Sequence, residues 1–200
     1  MLELLVVDDE PEILNILEAV ATEQRVLIDG EALDVRVTKA ANGREALELI
    51  QARWFDAILS DINMPKMNGL DLLANIRGLG KEVPLIFLTA FGDKEHAVRA
   101  LRLGCYDFLD KPFDMDRLRD VLHRALESGF RGREIEREVE LRLANLASLP
   151  AERYRQLRLV FRSMILVEKS RAEKQSSSAD EIGTPINSLL GHGKKARRAA

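Results

Sequence analysis

The sequence predicts an α/β fold: a five-stranded parallel sheet with helices on both faces, followed by a C-terminal helical extension. Three observations predict it. From Met1 to about Gly129, short apolar runs alternate with amphipathic stretches, the pattern of successive βα units. Several of those runs are apolar nearly throughout, as strands covered on both faces are. After Gly129 the apolar runs stop and highly charged segments of helical period take over.

The strand candidates are LELLVV (2–7), DVRVT (34–38), AILS (57–60), PLIFLT (84–89) and YDFL (106–109). Between them lie PEILNILEAVATE, NGREALELIQAR, KMNGLDLLANIRG, DKEHAVRALRLG and DMDRLRDVLHRALES, each opened by polar or proline residues. Gly78, Gly80, Gly104 and Gly129 stand near their ends, where a left-handed cap favours glycine. One irregularity precedes the second strand: RVLIDGEALDV carries Asp29-Gly30 between apolar residues, which reads either as a hairpin insert or as an extended loop. The domain reading is therefore 1–129 for the α/β part, 130–175 for a helical hairpin or coiled coil, and 176–200 for a polar linker and tail.

Composition narrows the function. The 200 residues carry a net charge of -3, from 30 Lys and Arg against 33 Asp and Glu. That balance disfavours nucleic-acid binding through bulk charge. A single cysteine, Cys105, excludes an internal disulfide and a zinc–cysteine cluster. No apolar run approaches the roughly 20 residues that span a bilayer, and the N-terminus lacks a signal-peptide pattern. A cytoplasmic protein without membrane contact is expected.

The chemistry is concentrated at strand ends, because in an open parallel sheet the crevice beyond the carboxyl ends binds ligands. The first strand delivers Asp8 and Asp9, the third Asp61, the fourth Thr89, and the fifth is followed by Lys111 and Pro112. Carboxylates at 4 Å repel by about 4 kcal/mol per pair at an effective dielectric near 20. A hard divalent cation removes that cost, and oxygen ligands with room for water suit Mg2+. An aspartate can act as nucleophile and form an aspartyl-phosphate, with a lysine and a hydroxyl stabilising the transferred group. Each residue also has an ordinary reading. Asp9 could cap the helix at Pro11, Asp61 could open the turn at Met64-Pro65, Thr89 could be a mere β-former and Lys111 a surface charge. Their coincidence at one edge favours the joint reading.

These motifs as a set, VVDDE, D-x-N-M-P-x-M-x-G from Asp61, LTA and KPF, resemble the receiver domain of two-component response regulators, the flavodoxin-like chemotaxis-receiver type. The resemblance implies a strand order of 2-1-3-4-5. It implies that Asp61 accepts a phosphoryl group from a sensor histidine kinase or a phosphotransfer protein, and that Asp8, Asp9, Asp61 and the Asn63 carbonyl hold Mg2+. Lys111 would pair with the phosphate, Thr89 and Phe108 would form the switch, and the Lys111-Pro112 bond would be cis. The output face would be formed by the last two helices and the fifth strand. Such a domain is no enzyme beyond its own phosphoryl acceptance and loss. A haloacid-dehalogenase-type phosphatase would need D-x-D-x-[TV] where this chain reads DDEP, and a flavodoxin proper would need a hydroxyl-rich loop there.

In the extension, Leu157, Val160, Met164 and Val167 follow a 3-4-3 spacing that suits a helical seam, so a homodimer through 130–175 is one expectation. No helix-turn-helix or zinc spacing is present, and DNA contact would rest on the terminal KKARR alone. DEIGTPINSLLG (180–191) resembles the H-box of histidine kinases, with Asp180 at the histidine position and Gly183 at the arginine position. An aspartate there excludes kinase-type autophosphorylation. The resemblance implies a docking or dimerisation module of hybrid-kinase type, the alternative being a transcriptional regulator that uses its basic tail.

Overall fold

A burial pattern that alternates along the first strand fixes the layers. Leu2, Leu4 and Val6 enter one hydrophobic cluster, and Leu5 and Val7 enter the other, as the two-residue period of a strand requires. The computed structural model describes residues 1–90, 94–144 and 150–182, with 90, 94, 95 and 171–182 described by their backbone alone. The strands are β1 (Leu2–Val7), β2 (Arg25–Ile28), β3 (Glu31–Ala40), β4 (Ala57–Asp61), β5 (Leu85–Ala90) and β6 (Asp107–Lys111). The helices are α1 (Pro11–Glu23), α2 (Gly43–Ala52), α3 (Gly69–Gly78), α4 (Lys94–Arg102), α5 (Met115–Ala144) and α6 (Ala151–Ile182).

The sheet has six strands in the order β2-β3-β1-β4-β5-β6. The five parallel strands alone run 2-1-3-4-5, the flavodoxin-like order. The sixth is the hairpin alternative for the irregular segment: β2 pairs antiparallel with β3, Ile28 opposite Glu31. Asp29 (φ 53) and Gly30 (φ 84) both lie in the left-handed region, as a two-residue type I′ turn demands. Helices α1 and α5 cover one face, through Leu14, Leu17, Leu118 and Leu122. Helices α2 and α3 cover the other, through Ala46, Ile50, Leu70, Leu73 and Ile76, joined by Ala100 of α4. Asn42 and Asn68 cap α2 and α3, accepting from Glu45 N at 3.1 Å and Asp71 N at 2.8 Å. Asp114 caps α5 through Asp116 N and Arg117 N, both at 2.9 Å.

The sequence reading ends a helix at Gly129; in the structure α5 runs through it. Gly129 is there for close approach rather than for a cap. A Cβ on it would lie 1.6 Å from the Asp56 carbonyl oxygen, so only glycine lets α5 pass that point. The division into units accordingly falls later, at Met1–Glu134 and Ile135–Ala200.

In the second unit α5 and α6 share a small core of Val139, Leu143 and Ile165, with Ile135, Tyr154, Leu157 and Phe161 packed around it. The α6 stripe against α5 is thus Tyr154, Leu157, Phe161 and Ile165. Of the predicted seam only Leu157 belongs to it, and Val160, Met164 and Val167 are exposed. The aromatic rings explain the difference: they fill the gap between the two helices along a 3-4-4 path, closer to the 3.6-residue period of a straight helix. Arg158 binds Glu136 at 2.6 Å and Glu140 at 3.1 Å, and Arg142 binds Glu168 at 3.0 Å. Backbone helix continues through the serine-rich segment read as linker, up to Ile182. The rest of the H-box-like stretch, with His192 and the basic tail, lies outside the described residues. Among the described residues no helix is long and apolar enough to cross a membrane.

Candidate functional site

Three strands set the geometry of the carboxyl edge. Asp8 directly follows β1 and has 0% exposure; Asp61 ends β4 and has 7%. Lys111 ends β6 and reaches across the edge, placing Nζ 2.9 Å from Asp8 Oδ2 and 2.8 Å from Asp61 Oδ1. The other oxygens take backbone donors: Asp8 Oδ1 accepts from Glu10 N at 2.9 Å, and Asp61 Oδ2 from Asn63 N at 2.6 Å. Thr89 is buried on β5, one residue beyond Leu88, which pairs with Asp61. Phe108 is half-buried against the α2–α3 core, and the Lys111-Pro112 bond is cis.

The edge differs from the predicted convergence of three carboxylates. Asp9 is exposed, and among the described residues no three His, Cys, Asp or Glu side chains are gathered closely enough to hold a metal ion. The ammonium of Lys111 provides the physical reason, since it sits between two carboxylates and neutralises part of their repulsion. The capping role open to Asp9 is also not taken: Glu10 is the N-cap residue of α1, with no side-chain cap bond, and Pro11 occupies the first turn. Asp61 does take up its turn role, through Asn63 N, and remains a buried carboxylate beside a lysine.

Burial pushes the Asp61 carboxyl above its ordinary range, against the opposing pull of Lys111 and of the Asn63 amide. For Lys111, burial favours the neutral amine, but the hydrogen bonds to Asp61 and Asp8 outweigh it and raise the ammonium. The site therefore keeps its lysine charged beside an aspartate whose ionised form is under-solvated, the kind of perturbation that clusters at functional sites.

One residue whose role spacing alone did not reveal is Gly69, the last letter of the D-x-N-M-P-x-M-x-G motif. A Cβ there would lie 2.3 Å from the Asp61 carbonyl oxygen and 2.8 Å from Phe87. Gly69 N donates to Ile62 O at 2.9 Å, so α3 starts hard against the loop that carries Asp61. Within that loop Lys66 adopts φ 66, a conformation costing a non-glycine residue about 1–2 kcal/mol. Ser60 Oγ donates to Asp61 O at 2.8 Å from a fully buried position.

Sheet order, edge chemistry and motif set all point one way, and a family model described as the response regulator receiver domain matches residues 4–123. The chain belongs to the response regulator receiver domain family. Response regulator protein PilR of Pseudomonas aeruginosa is 38% identical over 122 residues, covering 61% of this chain and 25% of PilR. Transcriptional regulatory protein ZraR of Escherichia coli K12 is 37% identical over 125 residues, covering 62% and 26%. This chain thus spans about a quarter of the length of these curated relatives. Among solved structures, the chemotaxis protein CheY4 of Vibrio cholerae superposes with a TM-score of 0.54 at 32% identity, covering 63% of this chain and 99% of its own. The Francisella response regulator 1452 receiver domain does so with 0.52 at 31%, covering 62% and 98%.

The receiver's donor set suits a divalent cation. Buried Asp8 and Asp61 against Lys111 leave two negative charges and one positive, a net -1 carried on oxygen donors, to which exposed Asp9, next to Asp8 in the chain, can add another. All-oxygen, carboxylate-rich sites of this charge select Mg2+ over softer metals.

Proposed function

We propose that this chain is the phosphoryl-accepting part of a two-component relay, with Asp61 as acceptor. The observation that carries this reading is the Asp8–Lys111–Asp61 cluster: a buried, under-solvated carboxylate held 2.8 Å from a charged amine at the ligand-binding edge of the sheet.

In the step itself, an Asp61 carboxylate oxygen attacks the phosphorus of a phosphohistidine on a sensor histidine kinase or phosphotransfer protein. The P–N bond breaks, its electron pair stays on the imidazole nitrogen, and an aspartyl-phosphate results. Lys111 leaves Asp61 Oδ1 and follows the charge onto the phosphoryl oxygens, as an ammonium on a flexible stem can. Thr89 lies within the neighbouring strand to donate its hydroxyl to the same group, and Phe108 answers the displacement by changing its burial. Mg2+, held by Asp8, Asp9, Asp61 and the Asn63 carbonyl, would supply charge stabilisation to the transferred group. The chain's own residues carry both acceptance and loss of the phosphoryl group. Output runs through protein contacts of a two-state surface; the likeness to ZraR, named a transcriptional regulatory protein, supports gene control as the eventual output.

The test is incubation of the full chain with a small phosphodonor and Mg2+, read by intact mass. Wild type gains one phosphoryl group and Asp61→Asn gains none. Equal labelling of the variant overturns the assignment.

A further inference from the structure

Helix α6 has two apolar faces, and α5 covers one of them. The second is formed by Leu159, Val160, Met164, Leu166 and Val167, each between 45% and 66% exposed. Gln156, Ser163 and Ser170 complete it, all exposed. At 3.6 residues per turn these eight positions sweep about half of the helix circumference, and from Gln156 to Ser170 no charged residue interrupts them. The cations of this segment are gathered elsewhere: Arg158 and Arg162 bind Glu136, on the flank facing α5. A solvated helix face ordinarily carries the charges and the core face lacks them; here an uncharged face points to solvent.

We propose that this face is a homotypic interface, and that its occupant is the same face of a second copy of this chain. Three observations favour a second copy. A two-fold axis lays a patch on itself, which sets like charge against like charge unless the patch is neutral, and this one is. Among the described residues the hairpin's own core holds three fully buried apolar side chains, Val139, Leu143 and Ile165; helical units this small gain their missing core by oligomerising. Leu157, Val160, Met164 and Val167 keep the 3-4-3 spacing of a coiled-coil seam, with Leu157 shared between the intrachain core and the new one. Exposed apolar patches of this extent mark a contact site rather than an ordinary surface.

The proposal stands apart from phosphoryl transfer, so the two can fail separately. Sedimentation equilibrium of the full chain is expected to give twice the 22.5 kDa chain mass at micromolar concentration. Met164→Glu places a charge in the centre of the face and weakens association at least tenfold, while Leu141→Glu, on the exposed side of α5, leaves it unchanged. Circular dichroism and a urea midpoint for Met164→Glu equal to those of wild type show that the chain remains folded. A monomer at about 100 μM overturns the proposal, as does a dimer that Met164→Glu leaves intact. A monomer that binds anionic lipid vesicles through this face also overturns it, in favour of a membrane surface.

Discussion

The two ends of β4 carry the same kit of parts. Asp56 immediately precedes the strand and Asp61 ends it. Both are buried, and both have a carboxyl pushed above its ordinary range by burial. Each accepts a backbone N–H, from Glu3 at 2.8 Å and from Asn63 at 2.6 Å, and each meets one cation, Arg133 at 3.0 Å and Lys111 at 2.8 Å. Each also has a glycine pressed onto its main-chain carbonyl, Gly129 of α5 and Gly69 of α3. The charge count separates them. At the amino edge, Asp56 and Glu3 face Arg133, Arg36 and Arg53, two negative charges against three positive. At the carboxyl edge, among the described residues, Asp8 and Asp61 face Lys111, two negative charges against one positive. The first cluster is neutralised by planar guanidiniums, with Arg133 also stacked 5.2 Å over Phe130; it anchors the helix. The second keeps an excess of negative charge and a flexible ammonium, which suits the cation and phosphoryl group proposed for it.

The sharpest way to break this comparison is to neutralise each aspartate in turn. Asp61→Asn abolishes phosphoryl incorporation, whereas Asp56→Asn accepts it at a rate close to wild type. The stability effects run the other way. Because burial holds the Asp61 carboxyl up, its ionised form opposes folding. Stability linked to it is present below the unfolded value of 3.8 and lost as pH rises through the higher folded value. Asp61→Asn therefore raises the Tm at pH 7, by about 1 kcal/mol or less in stability, and the gain fades as the pH falls towards 3.8. Thermal melts across that range check the sign.

Next in size are the glycines. Gly129→Val drives a side chain into the Asp56 carbonyl and costs about 3 kcal/mol or more, because backbone on both sides must move. Urea titration measures it. Gly132→Ala, at a half-buried position with nothing within 4 Å of the added Cβ, gains about a few tenths of a kcal/mol from helix propensity.

That pair also shows where the sequence was legible and where it was not. Apolar runs and capping residues placed the five parallel strands and the first four helices to within a few residues, since those signals are local. The acidic edge was legible because topology alone carries strand ends together. Gly129 misled because a helix-ending glycine and a close-approach glycine look alike in sequence; only the position of Asp56 distinguishes them. Arg133 and Asp56 are 77 positions apart, 133 less 56, and nothing local announces their pairing. The α6 stripe failed in the same way: Tyr154 and Phe161 rank below Val160 and Val167 on an aliphatic pattern, yet their rings fill the space against α5.

Arg133→Met comes third. It leaves the Asp56 charge buried without its guanidinium, at a cost of about 1–3 kcal/mol, discounted from the value for a closed pair because Arg133 is itself partly exposed. Asp56→Asn costs less, since the freed arginine can reach water. With Asp56 already held above 3.8 by burial, and higher still without Arg133, acidification protonates it and removes its need for a counterion. The deficit of Arg133→Met relative to wild type thus shrinks as pH falls, and denaturant titrations at neutral and mildly acidic pH would show it.

The smallest effect tests the excess charge at the carboxyl edge. Lys111 occupies oxygens of Asp8 and Asp61 that a divalent cation also needs, so the two compete in part. Lys111→Met removes the competitor and leaves the carboxylates facing one another, which lowers stability in EDTA by about 1 kcal/mol. Adding Mg2+ should then raise the Tm of Lys111→Met more than that of wild type, because binding to the folded state alone stabilises it in proportion to affinity. The control lies at the other end of β4. Arg133→Met opens a buried carboxylate as well, but Arg36 and Arg53 remain beside Glu3, and Mg2+ should shift its Tm no more than it shifts wild type. An equal Mg2+ response in the two variants would mean that loss of a countercharge, rather than the charge excess at one edge, attracts the ion.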